Sequence, residues 1–182
     1  MSAIRGRVWK FGDNVGADDG IIQFSKVTDL GSYDVPALKA MLFVLLDPGF
    51  PTKVRAGDIV VAGKNFGHHS HPHAGVAMRE SGIRACVCES TDSAFVRKIL
   101  NIGLPVVPCP GVGRLVETGD ELELDLAAGT VRNPSTGESL AFRAYCESML
   151  EVWRLGGLAS ALRERVAAAR RPGGILAAQE MS

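Results

Sequence analysis

Gly57-Asp58-Ile59-Val60-Val61-Ala62-Gly63-Lys64-Asn65-Phe66-Gly67-His68-His69-Ser70-His71-Pro72-His73 is the stretch on which the fold reading turns. Residues 58–62 are a short apolar run between two glycines. A strand with one face in water alternates apolar and polar residues, whereas an unbroken apolar run fits a strand buried on both faces of a parallel sheet. A glycine-flanked loop follows, and Pro72 suits the first turn of a helix. The spacing then predicts a helix from His73 to Glu80, closed by Gly82. Strand, loop and helix in that order are the first half of a βαβ unit.

Working outward, the same alternation continues. Ile83 to Cys88 reads as the next strand, Ser90 or Thr91 can cap a helix running to Ile102, Gly103 terminates it, and Leu104 to Val107 is another strand. Upstream, Arg5 to Phe11 has strand character and ends in the turn Gly12-Asp13-Asn14. A loop rich in Gly and Asp (residues 16–20) leads to a short strand, Ile21 to Phe24, and Val35 to Leu46 has helical spacing stopped by Asp47-Pro48-Gly49. After Pro110 the pattern changes: Glu121 to Leu126 alternates strictly, and Gly129 and Pro134-Ser135-Thr136-Gly137 mark turns between short β segments. Helices are expected at Cys146–Leu155 and Leu158–Arg170. The chain therefore reads as one α/β domain over residues 1–170, with 171–182 a frayed tail.

Composition bounds the function. At 182 residues the chain is long enough to bury a core without disulfides. Lys+Arg and Asp+Glu are equal at 20 each, so no net basic field favours nucleic acid, and near-zero charge favours association with another subunit. The longest apolar run, Met41 to Leu46, is far too short to span a membrane, and residues 1–7 lack a signal-peptide core. The expectation is a cytoplasmic protein with no membrane contact. The four cysteines show no CxxC pair and read as buried free thiols; Cys86 and Cys88 would share one face of a strand, where a common metal is conceivable.

All four histidines lie within residues 68–73, around Ser70. Imidazole titrates near neutral pH and serves as base, acid and metal ligand. Three readings stay open: acid–base groups or substrate contacts, a transition-metal site drawing on His68, His71 and His73, or solvated loop residues. Ser70 also reads as the N-cap of the helix that starts near Pro72. Lys64 and Asn65 fall at the C-terminal end of a parallel strand, where open α/β sheets place ligands.

Several segments in order carry a resemblance: Gly6-Arg7-Val8-Trp9-Lys10-Phe11-Gly12-Asp13-Asn14, residues 57–67, Asn101-Ile102-Gly103-Leu104-Pro105, Gly119-Asp120-Glu121-Leu122 and Leu155-Gly156-Gly157-Leu158. Together, over roughly residues 5–166, the chain resembles the small subunit of 3-isopropylmalate dehydratase, which is also the swivelling domain of aconitase. The resemblance implies a three-layer β/β/α swivelling fold. It also implies a large aconitase-type partner that carries a [4Fe–4S] cluster as Lewis acid; this chain has no cysteine spacing suited to such a cluster. The small subunit would close over that cluster and supply substrate contacts and a serine base.

The loop departs from the family pattern of Cys or Ser, Gly, Ser, Ser, Arg, Glu, His, Ala. Ser70 falls on the serine that serves the family as base, His71 replaces the second serine, and Pro72 replaces an arginine that grips a substrate carboxylate. His73-Ala74 keeps the family's His-Ala. A second arginine is absent where Ser93 stands, and Arg97 matches a family arginine on the 91–102 helix. In the early loop Ala17-Asp18-Asp19 replaces Asp-Thr-Asp. An arginine fork binds carboxylate bidentately, and histidine offers a smaller, titratable contact. The resulting expectation is the small subunit of a heteromeric hydro-lyase acting on a small carboxylic acid other than isopropylmalate. Ser70, His69 and His71 are the catalytic candidates. Lys64, Asn65, Gly67, His68, His73, Asp19 and Lys26 are the substrate-binding candidates. The alternatives are a swivel-fold binding or regulatory domain without catalysis, and a metal-binding protein using residues 68–73.

Overall fold

A computed structural model of the chain describes residues 3–170; the expected tail, residues 171–182, lies outside the described residues. The apolar run forms β2 (Ile59–Ala62), with all four residues buried. It lies between β1 (Ile4–Lys10) and β3 (Ala85–Cys88) and is parallel to both, with Val8 opposite Ile59 and Val60 opposite Cys86. β4 (Val106–Pro108) continues the parallel set beside β3. The free edge of β1 pairs antiparallel with β5 (Glu121–Asp125), followed by β6 (Thr130–Arg132) and β7 (Ser139–Ala141). The sheet order is β4-β3-β2-β1-β5-β6-β7.

Two apolar cores show how this sheet is layered. Val60 and Ala62 of β2 point into one core together with Met78 from α3 (Pro72–Glu80) and Phe95 and Ile99 from α4 (Ser93–Ile102). Ile59 and Val61 point the other way and meet Leu122 and Leu124 of β5 and Val131 of β6. The antiparallel half thus curls over one face of the parallel half, while the helices cover the other. This is the expected β/β/α arrangement. On β5 the strict alternation is explained: Leu122 and Leu124 are buried, and Glu121 stays exposed. Of the remaining helices, α1 (Val35–Ala40) and α2 (Phe50–Lys53) give Leu38 and Phe50 to the first core. The second core takes Val112 and Leu115 from α5 (Val112–Leu115), and Leu150 and Trp153 from α6 (Glu147–Arg154). Finally, α7 (Leu158–Ala169) packs on α4 and α6.

Asp58 ties the start of β2 to β1. Its buried carboxylate accepts from Arg7 Nη2 at 2.7 Å, Trp9 Nε1 at 2.7 Å and the Arg55 amide at 2.9 Å. Burial pushes this carboxyl up, but the hydrogen bonds from Arg7, Trp9 and Arg55 outweigh it and hold the group below the usual carboxylate range.

Four expectations are corrected. Ile21 to Phe24 is not a strand: Ala17–Ile21 is a single π-helical turn and Phe24–Lys26 a short 3₁₀ turn. The helix expected through Leu46 ends at Ala40, because Phe43 adopts φ +50 and its amide bonds to Ile21 O at 2.7 Å. That break lets the Phe43 ring stack on Phe11 at 4.4 Å and meet Phe50 edge-on at 4.9 Å. The cap of α4 is Asp92, which accepts from the Ala94 amide, while Ser90 and Thr91 bind the neighbouring loop through Asn65 N and Phe66 O. Finally, Cys86, Cys88 and Cys109 are buried as expected, but Cys146 is exposed.

Candidate active site

The loops that follow β1 and β2 run side by side beyond the sheet and keep exchanging hydrogen bonds. Gly63 N donates to Gly12 O at 3.0 Å, Asn14 N to Lys64 O at 2.8 Å, Gly67 N to Val15 O at 2.8 Å and Ala17 N to His68 O at 2.8 Å. Asn14 and Asn65 both sit in the left-handed region (φ +58 and +59), which asparagine tolerates, and Asn65 Nδ2 donates to Asn14 Oδ1 at 3.1 Å. Gly67 has φ +75, and a Cβ there would overlap the Phe95 ring. Only glycine satisfies both conditions. The paired loops deliver the acidic turn at Ala17–Ile21 directly against the histidines.

The four histidines divide into two pairs. His69, at φ +53, turns its ring back so that Nδ1 lies 3.2 Å from Asp18 Oδ2, and His68 Nε2 lies 3.2 Å from Asn14 O. His71 stacks on Phe24, with centroids 3.6 Å apart and rings inclined by 18°. His73 is buried inside the first turn of α3, edge-on to Tyr33 at 4.9 Å and to Phe24 at 5.4 Å. The convergence of His68, His71 and His73 on one point is therefore overturned: the grouped side chains are His68, His69 and Asp18. Burial of its ring lowers the His71 pKa, and positive neighbours led by Lys98 add to this against the pull of Asp18. His71 thus keeps a neutral imidazole below the usual histidine range.

Ser70 does not cap α3. His71 holds the N-cap position and makes no side-chain cap bond. Instead Lys98 Nζ, reaching across from α4, donates to Ser70 Oγ at 3.0 Å and to Ser70 O at 2.7 Å. Lys98 is the partner of Ser70 that the sequence reading missed. The neighbouring Arg97 is exposed, and among the described residues it forms no ion pair or hydrogen bond. Consecutive helical side chains diverge by about 100°, so a one-residue choice on α4 decides which cation faces Ser70.

The other candidates sit further out. Lys64 and Asn65 are exposed, with the Lys64 amide held by Asp13 Oδ1 at 2.7 Å. Asp19 is exposed, and it is Asp18 that meets His69. Lys26 borders a separate cavity of about 290 Å³ together with Asp29, Asp34 and His73. A larger concavity of about 600 Å³ lies at the opposite, N-terminal ends of the strands and has no histidine or serine in its lining.

The cysteines of this chain do not fit an iron–sulfur cluster. Cys86 and Cys88 face one core and Cys109 the other, and among the described residues no three cysteines bring their sulfurs together. Burial pushes the Cys86 thiol up and that of Cys88 up to about 12, against the thiolate form that a cluster needs.

A curled β/β/α sheet with a serine and histidines on loops at the C-terminal edge of its parallel strands, and a lysine of α4 beside them, is the arrangement that the resemblance to the swivel domains of the aconitase class implies. Comparison with known proteins makes the assignment specific. The chain is 38% identical over 171 residues to the isopropylmalate/citramalate isomerase small subunit of Methanocaldococcus jannaschii, covering 91% of this chain and 97% of that one. It is 40% identical over 161 residues to 3-isopropylmalate dehydratase small subunit 1 of Methanopyrus kandleri, covering 88% and 92%. A crystal structure of 3-isopropylmalate dehydratase from Methanocaldococcus jannaschii superposes with a TM-score of 0.77 at 30% identity, covering 91% of this chain and 96% of that one. No family model matches the chain. The chain belongs to the 3-isopropylmalate dehydratase small-subunit family of hydro-lyases.

Proposed function

We propose that this chain is the small subunit of a heteromeric hydro-lyase that removes water from, or adds it to, a small hydroxy acid, with Ser70 as its base. The observation that carries the reading is the Ser70–Lys98 pair. A serine hydroxyl is a poor base unless its alkoxide is stabilised, and an ammonium 3.0 Å from Oγ does that by charge and hydrogen bond. Lys98 also restores, from α4, positive charge lost where Pro72 stands in place of an arginine. The large partner would bring a [4Fe–4S] cluster, which supplies Lewis acidity toward the substrate's hydroxyl and carboxylate.

The part of this chain is the proton. Ser70 Oγ takes it from the carbon next to a carboxylate in the dehydrating direction and returns it in hydration. Neutral His71 lies next in the chain and accepts or relays a hydrogen bond at that edge. Asn65 and Gly67 hold the loop in register, and His68 and His69 face the acid's carboxylates in place of the arginine fork. Lys64 and Asp19 are exposed on the loops further out, and Lys26 and His73 border the separate cavity of about 290 Å³. The residue changes alter the groups that would grip a carboxylate, so the proposed acid is one other than isopropylmalate. The test is dehydration of a panel of 2-hydroxy acids by this chain assembled with its large subunit, followed through the absorbance of the new C=C bond. Turnover that falls by 10²–10⁴ in Ser70→Ala supports the assignment, a range typical of a lost proton-transfer group. Unchanged turnover in that variant removes Ser70 from the role.

A further inference from the structure

Asp18, His68 and His69 present one carboxylate and two imidazoles whose ligating atoms all lie within 4.8 Å of one another. Two histidines and one carboxylate with open positions beside them form a donor set suited to first-row divalent ions. Four further observations favour an ion here. Asp18 Oδ1 is buried and has no hydrogen-bond partner, an unfavourable state for an acceptor that a cation would relieve. Asn14 O can only accept, so the proton of the His68 hydrogen bond sits on Nε2, leaving the Nδ1 lone pair of the neutral ring free. A ligating histidine ordinarily donates its other N–H to a carbonyl in this way. Gly16 opens the space: a Cβ there would lie 2.9 Å from both Asp18 Oδ1 and His68 Cε1. His69 holds a left-handed backbone (φ +53) that aims its ring at Asp18.

We propose that Asp18, His68 and His69 are the protein ligands of a first-row divalent cation whose open positions take a carboxylate of the substrate. The ion would thereby do what the missing arginine fork does elsewhere in the family. The carboxylate role rests on the hydro-lyase reading; the ion site does not.

The test is calorimetric titration of Zn²⁺ into the untagged full chain carrying Cys146→Ser, which removes the exposed thiol. One ion per chain is expected, bound at least tenfold more weakly in Asp18→Asn and in His69→Ala and with unchanged affinity in His71→Gln. The His69 ring is 69% exposed, so His69→Ala keeps the test readable even if Asp18→Asn unfolds. Lack of saturable one-to-one binding, or equal affinity in His69→Ala, overturns the site. For the second part, the visible absorbance of the Co²⁺-loaded chain shifts on adding millimolar malate, and the absence of a shift overturns the carboxylate role. Both measurements use the chain without its partner, so their failure leaves the hydro-lyase reading standing, and inactivity of the assembly leaves the ion site standing.

Discussion

Ser70 and Lys98 are the residues on which the proposed chemistry rests, and they make separable predictions. Replacing Lys98 by Met removes the ammonium while keeping the stem, so kcat of the assembled enzyme falls by about 10–100-fold, as a lost charged hydrogen bond of about 1.5–3 kcal/mol requires. Lys98→Arg restores part of it, and an unaltered kcat in Lys98→Met would contradict the pairing. His71 predicts a pH effect. Its pKa is lowered by burial and then by Lys98, so the neutral ring persists below the ordinary value of about 6.5. Activity should therefore rise with pH through a value below 6.5 and then level, and His71→Gln should abolish that acidic limb in the kcat profile. The Ser70 position was legible in the sequence because the surrounding Asn65-Phe66-Gly67 and His73-Ala74 frame it. The Lys98 contact was not, because it depends on which side of α4 faces α3.

At the scale of elements, Asp58 fixes the start of β2 against β1, and Gly67 fixes the loop that follows β2. Asp58 is 3% exposed and accepts from Arg7 and Trp9 of β1. Its folded pKa is depressed, so its contribution to stability is complete above about pH 4 and is lost as pH falls through the lower folded value. Chemical denaturation of Asp58→Asn should show a loss of about 2–4 kcal/mol at pH 7 and a flatter acid limb than the parent. Gly67→Ala combines a strained left-handed alanine with overlap on Phe95, and a loss of about 2–4 kcal/mol is expected by the same measurement. β2, α3, β3 and α4 were legible because apolar period, Gly103 and Pro72 agree locally. Residues 17–26 and 41–46 were not. Their conformation is set by bonds to distant residues, such as Ala17 N to His68 O and Phe43 N to Ile21 O, which no local spacing encodes.

At the scale of the whole molecule, the candidate site lies at one end of the sheet. Its sheet curls so that one face is filled by β5 and β6 and the other by α3 and α4, leaving the loops after β1 and β2 at the open end. Among the described residues no helix is long and apolar enough to cross a membrane. The three-layer fold and the family were legible from the ordered segments. The division of the histidines into an Asp18-facing pair and a Phe24-facing pair was not, since it follows from the loop ladder. The cysteines lie apart, in two cores and on the surface, and do not fit an iron–sulfur cluster, so that chemistry is proposed to lie on a large partner. The most direct measurement is dehydratase turnover of this chain alone, of its large subunit alone, and of the two titrated together. Turnover absent from each alone and rising to saturation as the chains are mixed is the predicted result. Sustained turnover by this chain alone, or none at any ratio across the acid panel, would contradict it.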